Sequence, residues 1–348
     1  MSALTPVEIS NFIEKLKIHN QKFSLQPIEN YKLYIGPFKE DHRVFIRQFL
    51  NLTRFKFLAT AFVGWGLNPK TLYLFNHAVK RNVPFFLIED GFIRSVYTWC
   101  ANVDSKSKSG ISFVVDTSGF YFDGQISTDL EKLLNTYVVS PEEQEFAKQI
   151  IQKVVSNKIS KYNNQPLEVS LPSAAKKKVL IIDQSYGDMS LIRGGVTDKV
   201  FQDMVCDAVK ENPDAEILFK VHPDTLAKQE ESGFINSIPK EVKLLNSYAN
   251  PIALLEQVDK VYVATSQMGF EALLCGKEVH VYGLPFYAGW GLTIDKIKCD
   301  RRTRTLNLYE LFYIVYVVYS HYIDPVDNSS SDINKAIDFI ISSRSSQL

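Results

Sequence analysis

The sequence lacks both of the glycine-rich motifs that commonly bind nucleotide phosphates. No Gly-x-Gly-x-x-Gly follows the first predicted strand of either half of the 348-residue chain, and there is no P-loop. Nicotinamide and ATP phosphate sites of the usual kind are therefore not supported. An Asp-x-Asp pair is missing as well, so nothing in the sequence indicates a metal-bound nucleotide.

An excess of charge of either sign is also missing. Lys plus Arg and Asp plus Glu both number 39, so no overall field attracts the protein to nucleic acid. The four cysteines form no CxxC pair and have no histidine at zinc spacing, and we expect no metal site. The amino terminus has no basic-then-apolar signal pattern, which favours a cytoplasmic protein.

The sequence does contain an alternation of apolar strand signals and amphipathic helix signals. Its length suits two domains. A polar stretch with two prolines and a basic run, 163–178, is predicted to be the linker between them. We therefore expect an α/β protein with a first domain over 1–165, a second over 176–300 and helices over 301–348, the sheets being doubly wound.

Local signals in the first half predict particular elements. Helices are expected over 41–51 and from Pro69 to Arg81, and a buried strand over 84–88. A Thr-Ser-Gly turn between two short apolar runs, 111–116 and 119–122, predicts a β-hairpin.

Two acidic residues follow the buried strand 84–88 in the first half. In α/β enzymes, catalytic and binding side chains commonly lie just past the carboxyl end of such a strand. The structural alternative is a turn with a helix cap. That alternative accounts for Asp90 and Gly91, which are typical of turns, but it does not account for Glu89 and Arg94.

Three polar loops follow predicted strands of the second half, at 184–190, 220–224 and 265–271. The carboxyl ends of parallel strands meet at one edge of a sheet, so these loops are expected to lie together. Lys220, His222 and the helix end at Ser266 could then take the charge that develops on a departing phosphate without a metal.

The same loops suggest further contacts with a nucleotide-linked substrate. Glu271, one helical turn after Ser266, is a candidate for holding a ribose diol. The structural alternative for Ser266 to Glu271 is a capped strand-helix-strand unit without a ligand. A lone histidine before proline, as at His222, is also often a structural residue.

Two features of the sequence have two interpretations each. The basic run Arg301, Arg302 and Arg304 precedes an aromatic stretch, which could touch an anionic bilayer or could pack across both domains. Trp65 and Trp290 each lie in a Gly-Trp-Gly-Leu repeat, where they could stack on an acceptor sugar or belong to two unrelated turns.

Seven segments between residues 57 and 300 form a characteristic set when taken in order. They are EDGFIRS, FVVDTSGFYFD, SKYN, DQSYGDMS, KVHPD, TSQMGFEALLCGK and PFYAGWGLT. Together they resemble the capsule polysaccharide biosynthesis family, and in particular the amino-terminal module of its KpsC-like members. The resemblance implies a GT-B fold, in which two Rossmann-like domains face each other across a cleft. KpsC-like proteins carry two such modules, and this chain has one.

The resemblance also implies a chemistry. It indicates a retaining glycosyltransferase that moves β-Kdo from CMP-β-Kdo to a saccharide or lipid-linked saccharide, with no cofactor besides the donor. Retention calls for two displacements. Asp188 matches the position of the nucleophile, and Glu89 would be the acid/base residue that deprotonates the acceptor.

The resemblance and the loop pattern together give a set of candidate binding residues. The expected donor contacts are Lys220, His222, Pro223, Ser266, Gln267, Glu271, Gln184 and Ser190. The expected contacts to the acceptor or the sugar are Arg94, Trp65 and Trp290. The partners would be CMP-Kdo and the acceptor, with peripheral contact to the cytoplasmic face of the inner membrane left open and no nucleic acid.

Two alternatives from other classes of protein remain. A non-hydrolysing nucleotide-sugar epimerase shares the two-domain cleft and would require UDP in place of CMP. A non-catalytic capsule export or scaffold protein would keep the fold alone. The presence of carboxylates at both Glu89 and Asp188 argues against the scaffold, because such a protein would have little reason to keep both.

Overall fold

The computed structural model describes residues 4–36, 50–98, 101–103, 108–171, 177–222, 238–246, 248–327 and 329–345. Its strands form two six-stranded sheets. The strands are β1 (Leu33–Tyr34), β2 (Ala61–Trp65), β3 (Phe85–Asp90), β4 (Ser112–Asp116), β5 (Lys178–Ile182), β6 (Glu216–Lys220), β7 (Lys243–Leu245), β8 (Lys260–Val263), β9 (Glu278–Val281), β10 (Ile294–Asp295), β11 (Ser320–Ile323) and β12 (Ser330–Ser331).

Helices connect these strands and cover the sheets. The α-helices are α1 (Pro6–Asn20), α2 (Pro69–Arg81), α3 (Asp129–Thr136), α4 (Pro141–Ser156), α5 (Met189–Arg193), α6 (Asp198–Glu211), α7 (Pro251–Leu255), α8 (Met268–Leu274), α9 (Leu308–Tyr313) and α10 (Ile333–Ser345). Short 3₁₀ helices span Ile28–Asn30 and Lys56–Leu58, and a π-helix spans Ile314–Val318. The predicted helix over 41–51 lies almost entirely outside the described residues.

Helix α2 shows how local signals set an element's ends. The Asn68 side chain accepts hydrogen bonds from the backbone of Lys70 and Thr71, and Pro69 occupies the first turn. The helix ends at Asn82, whose left-handed backbone (φ 50°) is a conformation that asparagine tolerates well. The predicted bounds of this helix are confirmed.

The first sheet has the order β1-β2-β3-β4-β11-β12. Strands β1, β2 and β3 are parallel, whereas β4 is antiparallel to both β3 and β11. The predicted hairpin is wrong: 119–122 is not a strand, because the two edges of β4 are occupied by β3 and β11.

The second sheet is entirely parallel and has the order β10-β9-β8-β5-β6-β7. The chain starts in the middle at β5, builds outward to β7, and then returns to β8 on the other side of β5. Loops leaving β5 and β8 therefore diverge from adjacent strand ends, and such a switch point opens a crevice for ligands. The expected doubly wound α/β class is confirmed.

The carboxyl-terminal segment contains two strands in addition to the predicted helices. Residues 301–348 were predicted to form helices alone, but β11 and β12 lie within this range and extend the first sheet. The prediction was wrong because these strands are too short for their alternation to be recognised, and β11 gains its hydrogen bonds only from distant β4.

The basic run of this segment is held inside the molecule. Arg301 and Arg302 both pair with Glu131, and Arg302 also donates to the carbonyls of Pro285 and Ala288. Arg304 donates to the carbonyl of Tyr137. These contacts support packing across the molecule and leave no free run of charge for a bilayer. Among the described residues, no helix has the length and apolar character that a membrane span requires.

A cluster of aromatic rings joins the two sheets. Phe92, which follows β3, lies 4.9 Å from Phe286 and 5.2 Å from Tyr316, measured between ring centroids. Phe270 of α8 contacts the same two rings at 5.4 and 5.5 Å and is completely buried. The first sheet, the second sheet and the carboxyl-terminal segment thus share one apolar core.

Replacing Phe270 by alanine should therefore destabilise the whole molecule. Phe270→Ala leaves a cavity where the two sheets meet, and we expect the free energy of unfolding to fall by about 3–5 kcal/mol. Phe57→Ala is the control, because Phe57 is 71% exposed and its loss should change the stability by no more than about 0.5 kcal/mol. Urea denaturation measures both, and equal effects would contradict the shared core.

Candidate active site

A cleft of about 410 Å³ lies between the two sheets. The first sheet contributes Glu89 at the end of β3, together with Tyr121 and Phe122 beyond β4. The second sheet contributes residues that follow the carboxyl ends of β5, β6, β7, β8 and β9. Because the carboxyl ends of strands from both sheets face this space, the cleft has the position expected for a substrate site.

Asp188 stands at the start of the short helix α5. Its Oδ1 accepts a hydrogen bond of 2.9 Å from the backbone N–H of Ser190, which caps the helix. Gly187, with φ of 78°, provides the left-handed turn that brings the chain from β5 into this helix. Oδ1 is thus used in capping the helix, and the Asp188 side chain lines the cleft.

An amide side chain joins the two loops of the switch point. Gln184, after β5, donates 2.6 Å to Ser190 Oγ and accepts 3.2 Å from the backbone N–H of Thr265, after β8. The buried amide therefore fixes the loop of Asp188 against the neighbouring strand. Gln184 lines the cleft, but most of its hydrogen-bonding capacity is used within the protein.

Glu89 is the acidic residue that the first sheet presents to the cleft. It belongs to β3, and its Oε1 accepts 3.0 Å from the N–H of Asp90. Gly66, in the loop after β2, has φ of 64°, and a Cβ at this position would lie 3.5 Å from Oε2 of Glu89. The glycine thus keeps the space beside Oε2 open.

Tyr121 lines the same cleft as the two candidate carboxylates. Burial is the main cause that raises the pKa of Tyr121 to about 12. The Lys161 charge opposes this rise, and the charges of Glu89, Asp90 and Asp188 add to it. Tyr121 is therefore a neutral hydrogen-bond donor at physiological pH, placed between the two halves of the cleft.

Lys161 is the only lysine or arginine among the described residues that line the cleft. Burial alone would lower the pKa of its ammonium group, but Tyr121, Tyr162, Asp90 and Glu89 together raise it above the ordinary value. No hydrogen bond or ion pair of the Lys161 ammonium group occurs within the described part of the chain. The charge is consequently available to a bound anion.

His222 follows β6 and lines the cleft. Its backbone N–H donates 3.1 Å to Asp183, and its Nδ1 lies 3.0 Å from the hydroxyl of Ser185. The imidazole is therefore oriented by the loop that also carries Asp188. A neutral or protonated ring could donate to a phosphate from this position.

Three of the segments that carry the family resemblance are hydrogen-bonded to one another below the cleft. The carbonyl of Lys161 accepts from the N–H groups of Arg94 and Ser95, and Ser160 Oγ donates 2.7 Å to Glu271. Gln267 Nε2 donates 2.9 Å to the carbonyl of Phe92. These contacts explain how residues far apart in sequence are held at one site.

A buried ion pair joins the helix of Asp188 to the first sheet's side of the molecule. Arg193, at the end of α5, contacts Asp123 Oδ2 through Nε at 2.9 Å and Nη2 at 2.7 Å. Both side chains are at most 4% exposed. Arg193 also donates 3.0 Å to Ser10 of α1, so one guanidinium connects three segments.

Seven residues that the sequence predicted for the site line the cleft. They are Asp188, Glu89, His222, Ser266, Gln267, Gln184 and Ser190. Lys220 and Glu271 do not. Both are buried, and burial lowers the pKa of Lys220 while the charges of Asp183 and Glu271 oppose the change. The expected phosphate contact for Lys220 and ribose contact for Glu271 are therefore not supported, since both lie beneath the surface.

The three expected sugar contacts are also absent from the cleft lining. Arg94 is fully buried, where it donates to the carbonyl of Lys108 and lies 3.4 Å from Asp90. Trp290 is fully buried and donates to the carbonyl of Phe286, so it cannot stack on a sugar. Trp65 is half-buried at the end of β2. Pro223 lies outside the described residues.

Tyr121, Lys161 and Tyr162 were missed by the sequence reasoning. All three line the cleft, and all belong to segments that carry the family resemblance. The signal was present in SKYN, where a cation and a phenol stand together after helix α4. Their role was not recognised because it depends on a fold-level contact between 160–163 and the segment after β3.

The described residues that line the cleft include two carboxylates, one cation, an imidazole and several hydroxyls. This set can bind an anionic substrate and can perform nucleophilic attack and proton transfer from opposite sides. Over the described ranges, no group of three or more His, Cys, Asp or Glu side chains is arranged to hold a metal ion.

Comparison with known proteins gives a consistent result. The model of the family described as "Capsule polysaccharide biosynthesis protein" matches residues 60–324. The capsule polysaccharide modification protein LipA of Neisseria meningitidis serogroup B is 39% identical over 296 residues, which cover 81% of this chain and 41% of LipA. The chain thus spans about two-fifths of the length of that relative.

Two solved structures from Thermosulfurimonas dismutans are similar over nearly the whole chain. KpsC, beta Kdo 2,4 transferase, is 32% identical with a TM-score of 0.80, over 91% of this chain and 99% of that chain. KpsC, beta Kdo 2,7 transferase, is 26% identical with a TM-score of 0.68, over 90% and 99%. The GT-B type of fold expected from the resemblance is confirmed.

The buried pair Asp123–Arg193 should contribute far more to stability than a surface pair. Arg193→Met leaves an uncompensated buried carboxylate, and we expect a loss of about 3–5 kcal/mol in the free energy of unfolding. Lys199→Met is the control, since Lys199 and its partner Asp203 are 81% and 53% exposed and contribute under about 1 kcal/mol. Urea denaturation distinguishes them. The double variant Asp123→Leu/Arg193→Met should recover part of the loss, and a purely additive result would contradict the pairing.

Proposed function

The chain belongs to the capsule polysaccharide biosynthesis family, and on that basis we propose that it is a retaining β-Kdo transferase using CMP-β-Kdo as donor. The observation that carries the proposal is one cleft lined by Asp188 from one sheet and Glu89 from the other. The similarity to two Kdo transferases supports the choice of sugar. The acceptor is a saccharide or a lipid-linked saccharide, and the reaction takes place in the cytoplasm.

In the first step, the carboxylate of Asp188 attacks the anomeric carbon of the bound Kdo. The bond between that carbon and the phosphate oxygen breaks, and CMP departs with the bonding electrons. His222 and the hydroxyl of Ser266 line the cleft where hydrogen bonds to the departing phosphate would form. The product of this step is a covalent aspartyl-Kdo adduct.

In the second step, Glu89 removes the proton of the acceptor hydroxyl. The acceptor oxygen then attacks the anomeric carbon from the face that CMP has left, and the bond to Asp188 breaks. Two displacements restore the original configuration. Because the base and the nucleophile come from different sheets, a small closure of the cleft would bring the acceptor to the adduct.

Lys161 is assigned a role in binding the donor. Kdo is a sugar acid, and CMP adds a phosphate, so the donor brings two negative charges into a partly buried cleft. The Lys161 ammonium group is positioned to balance one of them. Tyr121, as a neutral donor beside both carboxylates, would hydrogen-bond to the sugar between them.

Asp188→Asn should abolish transfer while leaving the helix intact, because asparagine is also a good amino-terminal cap. The expected loss is at least about 10³-fold in kcat, measured as formation of Kdo-extended acceptor by mass spectrometry. CMP binding, measured by calorimetry, should stay within about a factor of three of the wild type. Full activity of this variant would end the proposed mechanism.

Glu89→Gln should separate the two steps. Without the base, the adduct forms but is not passed to the acceptor, so the intact protein gains the mass of one Kdo after incubation with CMP-Kdo. Asp188→Asn is the matched control and should gain none. An adduct that forms equally in both variants would place the nucleophile elsewhere.

Lys161→Met should weaken donor use more than acceptor use. Loss of the cation is expected to lower kcat/KM for CMP-Kdo by about 10²-fold. Lys177→Met, at an exposed position outside the cleft, is the control and should leave kcat/KM unchanged. An unchanged kcat/KM in Lys161→Met would remove this residue from donor binding.

Nucleotide preference distinguishes the transferase from an epimerase. A thermal shift with CMP and none with UDP supports the transferase, whereas the reverse supports a non-hydrolysing epimerase. A scaffold protein of the same fold would respond to neither nucleotide.

A further inference from the structure

Two exposed phenylalanines and an exposed tyrosine lie close together at the start of β2. Phe57 is 71% exposed and Phe55 is 57% exposed, and their rings lie 5.5 Å apart. Tyr73 and Leu58 are 53% and 42% exposed. We name these four residues, on the segment 55–58 and the adjacent face of α2, the aromatic patch.

The aromatic patch is held rigidly in this exposed arrangement. Arg81, at the end of α2, donates to the carbonyls of Lys56 and Phe57. The Lys56 ammonium group donates 3.0 Å to the hydroxyl of Tyr73 and lies 4.9 Å from the centre of its ring. Charge-assisted bonds therefore fix the 3₁₀ helix to α2, and the phenylalanines point outward because their backbone is anchored.

The two segments that form the patch carry charge of one sign. The sequence contains no Asp or Glu from Leu50 to Asn82, although acidic and basic residues are equal in number over the whole chain. Arg54 and Lys80 are exposed within this stretch, whereas the Arg81 guanidinium is bonded to backbone carbonyls. The patch therefore combines outward apolar rings with a border of cations and no carboxylate from its own segments.

This combination fits a particular partner. Aromatic side chains insert at the level of lipid headgroups, and neighbouring cations attract the anionic lipids of the cytoplasmic leaflet. A protein partner would have to supply acidic side chains around an apolar pocket, and nothing in the structure indicates one. We propose that the aromatic patch docks the protein on an anionic phospholipid surface.

The location of the patch is compatible with an open cleft. Residues 55–58 precede β2, whereas the cleft lies at the carboxyl end of that sheet, beside Glu89. The five residues of β2 separate the two by roughly 17 Å. A bilayer at the patch therefore does not cover the mouth of the cleft.

The basic run Arg301, Arg302 and Arg304 is not an alternative surface for binding a membrane. Its guanidinium groups are bonded to Glu131 and to backbone carbonyls within the molecule. Exposed cations and exposed apolar side chains occur together at the aromatic patch, and they do not occur together at the basic run.

Vesicle co-sedimentation tests the proposal without reference to any enzymatic activity. The purified chain should sediment with vesicles of phosphatidylcholine mixed with phosphatidylglycerol, and at least about tenfold less with phosphatidylcholine alone. Raising the salt concentration should weaken the binding, because exposed charges are screened. Equal binding to both vesicles, or no binding to either, would overturn the proposal.

Variants at the patch locate the binding surface. Phe55→Ser/Phe57→Ser and Arg54→Glu/Lys80→Glu should each lower the bound fraction by about tenfold, whereas Val138→Ser, at an apolar position 81% exposed, should not. Circular dichroism establishes that each variant is folded. Binding that persists in both patch variants would refute the assignment. A dimer in size-exclusion chromatography that these variants dissociate, with no vesicle binding, would assign the patch to a second copy of the chain.

Discussion

The ion pair between Asp123 and Arg193 is the contact on which the candidate site depends most. Helix α5 has only five residues, too few to keep its own position in isolation. One end is capped by Asp188, and the other end carries Arg193, which reaches across to the first sheet's side of the molecule. The position of the candidate nucleophile relative to Glu89 is thus set by a contact between the two halves, and not by α5 itself.

The topology of the second sheet explains why no glycine-rich phosphate motif is needed. The crevice arises because β5 and β8 are neighbours that send their loops in different directions. Gln184 then ties the two loops together through Ser190 and Thr265, which a glycine turn could not do. The candidate binding groups are side chains on loops that hydrogen bonds hold in place, whereas a P-loop uses backbone amides. The absence of the motif excluded particular nucleotides and did not exclude a nucleotide site.

Local signals were sufficient for elements whose ends depend on neighbouring residues. Helix α2 was predicted at its observed bounds because Asn68, Pro69 and Asn82 act within a few residues of the helix. Contacts between distant segments were not accessible in this way. The carboxyl-terminal strands gain their partner from β4, Trp290 is buried by residues of several elements, and Lys161 reaches the cleft only because 160–163 packs against the segment after β3. Sequence patterns identified the polar loops, but tertiary packing decided which side chains of those loops reach the substrate.

The pairing of β11 with β4 has a consequence for how the molecule is made. A ribosome releases residues 320–323 only after the entire second sheet has been synthesised. Until then the nascent chain carries β4 with an open edge, which is the kind of surface that pairs with other chains. The first sheet is therefore completed only after the second sheet has been made, and shortening the chain at residue 300 would leave that edge permanently uncovered.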